Sequence, residues 1–266
     1  MSTPQKQKKD QFVALCADCR EDAEHLLPTV KLLANSLRKG IILFTTAKDG
    51  DSWVEGFGVT YAALKSDWPT VVEAMPTVFN VVLAVTLADH KAPRGSSAHP
   101  RQLLKNFRQA KIAYLVISAD STPPFTTESV ALTLDHQRES KEKLLWATYF
   151  KRFCGSEVVV YHHPYTDLAF RQRLDNNVRY LEKVFSSLNL TYRLQVLPAG
   201  NQFANPDIKA VDQPDVDLFI SLVPDDRDRD LFDIFSPPQA LRLLKHAAPI
   251  PILFLNQRDN LYILCD

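Results

Sequence analysis

One short pattern occurs twice in the chain and constrains the fold more than any other feature. The run Val13-Ala14-Leu15-Cys16-Ala17-Asp18 is followed 117 positions later (135 − 18) by Val130-Ala131-Leu132-Thr133-Leu134-Asp135, and four of the six positions are identical. A short apolar run that ends in Asp and precedes a helical pattern is typical of a buried parallel strand. The Asp carboxylate then lies at the edge of the sheet where the parallel strands end. The repetition predicts two related halves, each of which opens with this strand.

The rest of the chain repeats in the same order. Helical patterns at 21–39 and about 138–152 end at Gly40 and Gly155, where a C-terminal cap is expected. The second to fifth strands of the two halves are predicted at 41–44, 59–64, 81–85 and 110–117, and at 158–161, 190–196, 217–221 and 248–255. The second half has an additional long helix at 167–188, whereas 45–58 leaves room only for a loop and one turn.

Apolar strands that alternate with helices predict an α/β fold with two tandem doubly wound, five-stranded parallel sheets. The predicted organisation is a tail at 1–10, a first domain at 11–118 that is shortened between its second and third strands, a linker at 119–127 rich in Ser, Thr and Pro, and a second domain at 128–266. The alternative is one continuous sheet of about ten strands. It is less favoured because each half already holds a complete set of layers.

The composition excludes several classes of protein. Lys+Arg and Asp+Glu both number 31, so no overall field attracts the chain to nucleic acid or to an anionic membrane. No apolar stretch approaches the ~18 residues of a membrane span, and residues 1–10 lack the apolar core of a signal peptide. Four cysteines are too few for a disulfide framework, in agreement with a reducing compartment. We expect a cytoplasmic protein without nucleic-acid or membrane partners.

The second half carries a family resemblance. Val130 to Asp135, Glu139 to Ala147, and Phe153 to Val158 are similar to the opening of the universal stress protein domain, and Pro249 to Leu255 is similar to its closing strand. With the internal repeat, almost the whole chain resembles a tandem universal stress protein. The resemblance implies the strand order 3-2-1-4-5 in each half and pairing through the last strand. The two halves would then form a dimer within one chain.

The resemblance also bears on ATP, because some universal stress proteins bind it and others do not. In the members that bind ATP, an Asp at the end of the first strand faces the adenine end of the nucleotide. A Gly-x2-Gly-x9-Gly-Ser/Thr loop follows the fourth strand in these members. Such a loop needs glycine so that backbone N–H groups can approach the phosphates without a Cβ in the way. The corresponding segment 223–241 has no glycine, and 224–233 contains five Asp and two Arg. We therefore expect no ATP loop in the second half.

The loop at 87–101 in the first half is different. It contains one glycine in a Gly-Ser-Ser turn, flanked by basic residues and followed by a helix, a pattern typical of a small anion site. It lacks the first two glycines of the family motif. The alternatives are an exposed polar loop and, for the two Asp residues that end the first strands, N-terminal helix caps. The candidate nucleotide- or anion-binding residues are Asp18, Arg94, Gly95, Ser96, Ser97 and Asp135.

A further candidate is Cys16-Ala17-Asp18-Cys19, a C-x-x-C motif between a strand and a helix. A helix N-terminus there would lower the pKa of a thiol, but Cys16 is expected to point into the core. No set of residues has the spacing of a metal site or of a catalytic signature. No catalytic or metal-binding residue is therefore predicted.

These features favour a non-enzymatic stress-response protein without a cofactor. Its partner would be an unidentified protein or a second copy of itself. One alternative is a nucleotide- or anion-binding regulator that uses only the first domain, and a more remote one is a thiol redox protein that acts through Cys16 and Cys19. The apolar segment 261–264 is expected to extend a sheet edge or to cover one.

Overall fold

The fold is described from a computed structural model. The described residues are 10–63, 66–93, 96, 98–109, 112–121, 125–198, 205–214, 216–223, 239–246 and 250–256. The predicted roles of the acidic segment 224–233 and of the apolar segment 261–264 lie outside the described residues.

The described strands form a single sheet. Their bounds are β1 Phe12–Cys16, β2 Gly40–Thr45, β3 Thr60–Ala63, β4 Val81–Ala88, β5 Ala113–Ser118, β6 Ser129–Leu134, β7 Glu157–His162, β8 Arg193–Val196, β9 Leu218–Val223 and β10 Ile252–Asn256. The order across the sheet is β3-β2-β1-β4-β5-β10-β9-β6-β7-β8. Neighbouring strands are parallel except for β5 and β10, which are antiparallel.

The single sheet shows that the prediction of two separate five-stranded sheets was wrong. Numbered within each half, the strands follow the order 3-2-1-4-5, but the last strands of the halves pair directly. Val116 lies opposite Ile252, and Tyr114 lies opposite Phe254. Two separate sheets would leave apolar edge strands with unpaired backbone N–H and C=O groups, and the β5–β10 pairing satisfies those groups. The predicted limits of the domains and of the linker stay predictions.

Helices lie on both faces of the sheet. Their bounds are α1 Arg20–Leu37, α2 Gly50–Val54, α3 Trp68–Thr77, α4 Pro100–Gln109, α5 Lys141–Tyr149, α6 Leu168–Ser187, α7 Pro206–Val211 and α8 Gln239–His246. Buried side chains of α1, α2, α5 and α6 form one apolar core, and those of α3, α4, α7 and α8 form the other. Alternate residues of each central strand contribute to the two cores, as the pleat requires. Among the described residues, no helix combines the length and the apolar character that a membrane crossing requires.

The two predicted capping glycines have different positions. Gly155 ends a π-helical turn with a φ of 75°, as a C-terminal cap does. Gly40 is instead the first residue of β2, and Arg38 is the left-handed residue that ends α1, with a φ of 55°. A Cβ on Gly40 would lie 2.7 Å from ring atoms of Phe12. Glycine at position 40 therefore lets the Phe12 ring pack against the start of β2, and a larger residue there would displace that ring.

Candidate functional site

The strand order reverses at two places, between β1 and β4 and between β6 and β9. In open α/β sheets, ligands bind outside the carboxyl ends of the strands at such switch points. Asp18 follows β1 and Asp135 follows β6. The two predicted carboxylates therefore lie where a ligand would be expected, and their contacts determine what each can do.

Asp18 accepts hydrogen bonds from two other segments of the first half. Its Oδ1 atom accepts from the Thr46 hydroxyl at 2.7 Å and from the Thr46 amide at 3.3 Å, just after β2. Its Oδ2 atom accepts from the indole Nε1 of Trp68 at 2.8 Å. The residue at the N-cap of α1 is Cys19. The observed contacts of Asp18 therefore connect it to β2 and α3, which differs from the helix-cap interpretation.

The start of α3 brings Trp68 to Asp18. Asp67 caps this helix, because its carboxylate accepts from the Thr70 amide at 3.3 Å and from the Thr70 hydroxyl at 2.7 Å. Pro69 lies in the first turn, where the missing N–H needs no partner. The half-buried indole borders a small pocket at the carboxyl ends of β1 and β4. The residues that line it are Cys16, Trp68, Thr86, Leu103, Asn106 and Tyr114.

None of the described residues that line that pocket is charged. Tyr114 is 3% exposed, and its hydroxyl contacts the sulfur of Met75 at 3.9 Å. Burial raises the pKa of Tyr114 well above its usual value, so the phenol is neutral. An uncharged, partly apolar wall offers no cation to a triphosphate.

Ser96 is the described member of the predicted anion turn. Its hydroxyl accepts from the Ala98 amide at 3.3 Å, and its carbonyl accepts from the His99 amide at 3.0 Å. These bonds shape the turn that leads into α4. The anion site stays a prediction because its other members lie outside the described residues: Arg94, Gly95 and Ser97.

Asp135 organises its own loop. Its Oδ1 atom accepts from the Gln137 amide at 2.8 Å, which forms an Asx turn ahead of a 3₁₀ turn at Arg138–Ser140. The buried Asn177 of α6 donates to the carbonyl oxygens of Asp135 and Gln137, each at 2.8 Å. The Asp135 side chain thus bonds within its own loop, whereas the N-cap residues of the 3₁₀ turn and of α5 are Gln137 and Ser140, which differs from the helix-cap interpretation.

Four aromatic side chains pack beside this loop, and we call them the ring cluster: His136, His163, Tyr165 and Phe170. The His136 ring stacks on Phe170 with centroids 4.3 Å apart and meets the edge of Tyr165 at 5.1 Å. His163 meets Tyr165 at 5.6 Å. Burial raises the pKa of Tyr165 to about 12, and the charge of Asp135 adds to the rise. The ring cluster therefore lies against the second predicted carboxylate.

A buried polar network fills the second switch point, and its members are Thr133 of β6, Lys143 of α5, Asp207 of α7 and Ser221 of β9. Thr133 is hydrogen-bonded to the Oδ1 atom of Asp207, and the Ser221 hydroxyl donates to Oδ2 at 2.7 Å. The Lys143 ammonium donates to the Thr133 hydroxyl at 3.1 Å. None of the four residues is more than 5% exposed. The threonine thus links a buried ammonium to a buried carboxylate.

The two cysteines of the C-x-x-C motif are free thiols. Burial raises the pKa of Cys19 to about 11, and the charge of Asp22 adds to the rise. Burial, and next the charge of Asp18, raise the pKa of Cys16 as well. Both thiols are therefore poor nucleophiles at neutral pH.

Within the described ranges, no three His, Cys, Asp or Glu side chains are grouped as a metal site requires.

Sequence reasoning missed Trp68 and Lys143. Trp68 directly follows Asp67, which caps α3, but no local pattern indicates that its indole reaches Asp18, 50 residues earlier. Lys143 precedes Ala147 by four positions and Phe150 by seven, and both of these are buried. A lysine at that helical spacing belongs to the buried face and needs a polar partner there.

The chain matches no model of a known protein family, and it matches no curated protein. Its fold does match solved structures. A universal stress protein from Archaeoglobus fulgidus is 11% identical, with a TM-score of 0.62 over 93% of this chain and 97% of that one. The cytoplasmic domain of a prokaryotic cation chloride cotransporter is 16% identical, with a TM-score of 0.60 over 94% and 97%. A functionally unknown protein from Pseudomonas aeruginosa is 12% identical, with a TM-score of 0.54 over 93% and 92%. The chain has the universal stress protein fold, which confirms the resemblance at that level.

Proposed function

We propose that this chain, which has the fold of universal stress proteins, is a non-catalytic stress-response protein that does not bind ATP through a glycine loop. The observation that carries the proposal is the hydrogen bond from Trp68 to Asp18 at 2.8 Å. The resemblance assigns the adenine end of a nucleotide to Asp18. In this chain the carboxylate is engaged by the chain's own indole.

The remaining features of the first half support the same proposal. Thr46 donates to the other oxygen of Asp18, so a nucleotide base would compete with two internal partners. The described residues that line the adjoining pocket are uncharged, and the chain has only seven glycines. These described residues offer a triphosphate neither cations nor a glycine-rich backbone cradle.

The second half supports it through different residues. The ring cluster packs beside Asp135, and the buried polar network occupies the switch point between β6 and β9. The segment after β9 is acidic and lacks glycine, which disfavours a phosphate. In each half, these side chains occupy the region where the resemblance would place a nucleotide, which supports the proposal.

A stress protein without nucleotide chemistry acts through its surface, so we propose a scaffold whose partner is another protein or a second copy of itself. The similar cotransporter domain is one part of a larger protein, so the fold also occurs outside free-standing stress proteins. The described cysteines Cys16, Cys19 and Cys154 are free, which supports a reducing cytoplasmic setting.

Isothermal titration calorimetry with Mg-ATP tests the proposal. The wild-type protein should show no saturable heat up to millimolar ATP. The competing function is a nucleotide-binding regulator that uses the first half, and Asp18→Asn is its diagnostic variant. Micromolar binding that is lost in Asp18→Asn would establish that alternative and overturn the proposal.

A further inference from the structure

The start of α7 carries two buried donor groups that have no acceptor among the described residues. Asn205 caps this helix, since its Oδ1 atom accepts from the Asp207 amide at 2.9 Å and from Gln239 Nε2 at 2.7 Å. Its Nδ2 atom is buried and makes no hydrogen bond to the described parts of the chain, and the same holds for Nζ of Lys209. Asn205 is only 9% exposed. Buried polar atoms of native proteins normally have partners, so two unpaired donors on one turn need an explanation.

The spacing of four residues places the two side chains on one side of α7. The Lys209 amide donates to the Asn205 carbonyl at 3.3 Å, which closes the first helical turn. Residues four apart in a helix project from the same face, with Cβ atoms about 5–6 Å from each other. The pKa of His163, which follows β7, is lowered by burial first and by the charge of Lys209 second. The ammonium therefore lies near the loop after β7.

The charge of Lys209 is not balanced by the buried polar network. In that network Thr133 joins Lys143 to Asp207, so the Asp207 carboxylate already balances the charge of the Lys143 ammonium. The lowered pKa of His163 keeps its ring neutral at pH 7, and the ring adds neither an anion nor a second cation. A buried ammonium without an acceptor is strongly unfavourable. The arrangement indicates an acceptor that comes from outside the described residues.

We propose that Asn205 and Lys209 bind a small oxyanion, a phosphate or a carboxylate group, at the carboxyl edge of the second half. The Asn205 amide donates one hydrogen bond to the anion, and the Lys209 ammonium supplies the positive charge. The site uses side chains of α7 and no glycine loop, so it is separate from the adenine position at Asp18. It is also independent of whether the first half binds a nucleotide.

Thermal unfolding and calorimetry of the full chain test this site, with sodium phosphate in one arm and sodium acetate in the other. Sodium chloride at matched ionic strength corrects for general salt effects. Saturable binding of either anion is the expected result, and the anion that binds more tightly identifies the group. At a hundredfold excess over Kd, the Tm should rise by about 5 °C or more. The absence of saturable binding in both arms would overturn the proposal.

Three variants distinguish between two outcomes, a specific anion site and an adventitious ion only. Lys209→Met should abolish the anion-dependent shift and raise the Tm in anion-free buffer, because it removes an unpaired buried charge. Asn205→Asp keeps the capping oxygen but replaces the donor with an acceptor, and it should also abolish the shift. Lys183→Met, on the exposed face of α6, should keep the wild-type response. Equal shifts in all four proteins, or a lower anion-free Tm for Lys209→Met, would contradict the assignment.

Discussion

Among single residues, Trp68 and Asp18 form the contact on which the proposed function depends most. The two residues are 50 positions apart, and the indole reaches the carboxylate because Asp67 starts α3 beside the end of β1. The position of Asp18 at the end of a buried strand is predictable, since the repeated run places it there. Its partner is not, because nothing in the local pattern specifies which side chain of α3 faces β1.

Trp68→Phe keeps an aromatic ring and removes the indole N–H. The free energy of unfolding should fall by about 1.5–3 kcal/mol, the usual contribution of a hydrogen bond to a charged group. Urea unfolding followed by circular dichroism measures the loss. Trp146→Phe is the matched control, because Trp146 makes ring contacts with Tyr149 and Phe150. A loss for Trp68→Phe no larger than that of the control would show that the hydrogen bond to Asp18 contributes little.

His163 gives the chain a pH dependence of known sign. Its pKa in the folded state is lowered from 6.5 by burial first, and then by Lys209 and His162. The unfolded state therefore binds more protons as the pH falls through 6.5, and the free energy of unfolding decreases until the folded pKa is passed. His163→Gln should lose less stability than the wild type between pH 7.5 and pH 5.5 in urea titrations. Identical losses in the two proteins would rule out this contribution.

At the scale of elements, α5, α7, β6 and β9 meet in the buried polar network. Sequence periodicity predicts α5, β6 and β9 among these elements. It does not predict that Lys143 crosses the carboxyl end of β6 to reach Thr133, because that contact depends on how α5 and α7 pack. Candidate sites of this kind follow from tertiary geometry rather than from spacing along the chain.

Asp207→Asn tests the network. The substitution removes the carboxylate charge that Thr133 joins to the buried Lys143 ammonium, and it should lower the free energy of unfolding by about 3–5 kcal/mol, the usual cost of leaving a buried charge without its partner. The double variant Lys143→Met/Asp207→Asn should lose less than the sum of the single variants, because no unpaired charge remains. Asp212→Asn is the control, since it removes an exposed pair with His246, and it should cost at most about 1 kcal/mol. Additive losses in the double variant would show that the two charges are not coupled.

At the scale of the whole molecule, the two halves share one sheet through β5 and β10. The repeat predicts two halves with equivalent strands, and the resemblance implies that they pair through their last strands. Composition and periodicity alone favour two separate sheets, since each half has its own layers. Val116 pairs with Ile252, and these residues are 136 positions apart in the sequence (252 − 116). A local sequence pattern cannot predict a pairing between strands so far apart.

Because the halves share a sheet, they should unfold together. Trp146 reports on the second half in the Trp53→Phe/Trp68→Phe variant, and Trp53 and Trp68 report on the first half in Trp146→Phe. Circular dichroism first measures how much each substitution changes the stability. For each variant, the urea midpoint measured by fluorescence should then equal the urea midpoint measured by circular dichroism. Fluorescence midpoints that differ from the circular dichroism midpoint would mean that the halves unfold independently.

Native mass spectrometry of the purified full chain tests the central claim most directly, because it detects a bound nucleotide without any assumption about its site. We expect masses of the polypeptide, or of a whole-number oligomer, without the added mass of a nucleotide. A stoichiometric increment equal to ATP or ADP that persists through gentle desolvation would contradict it.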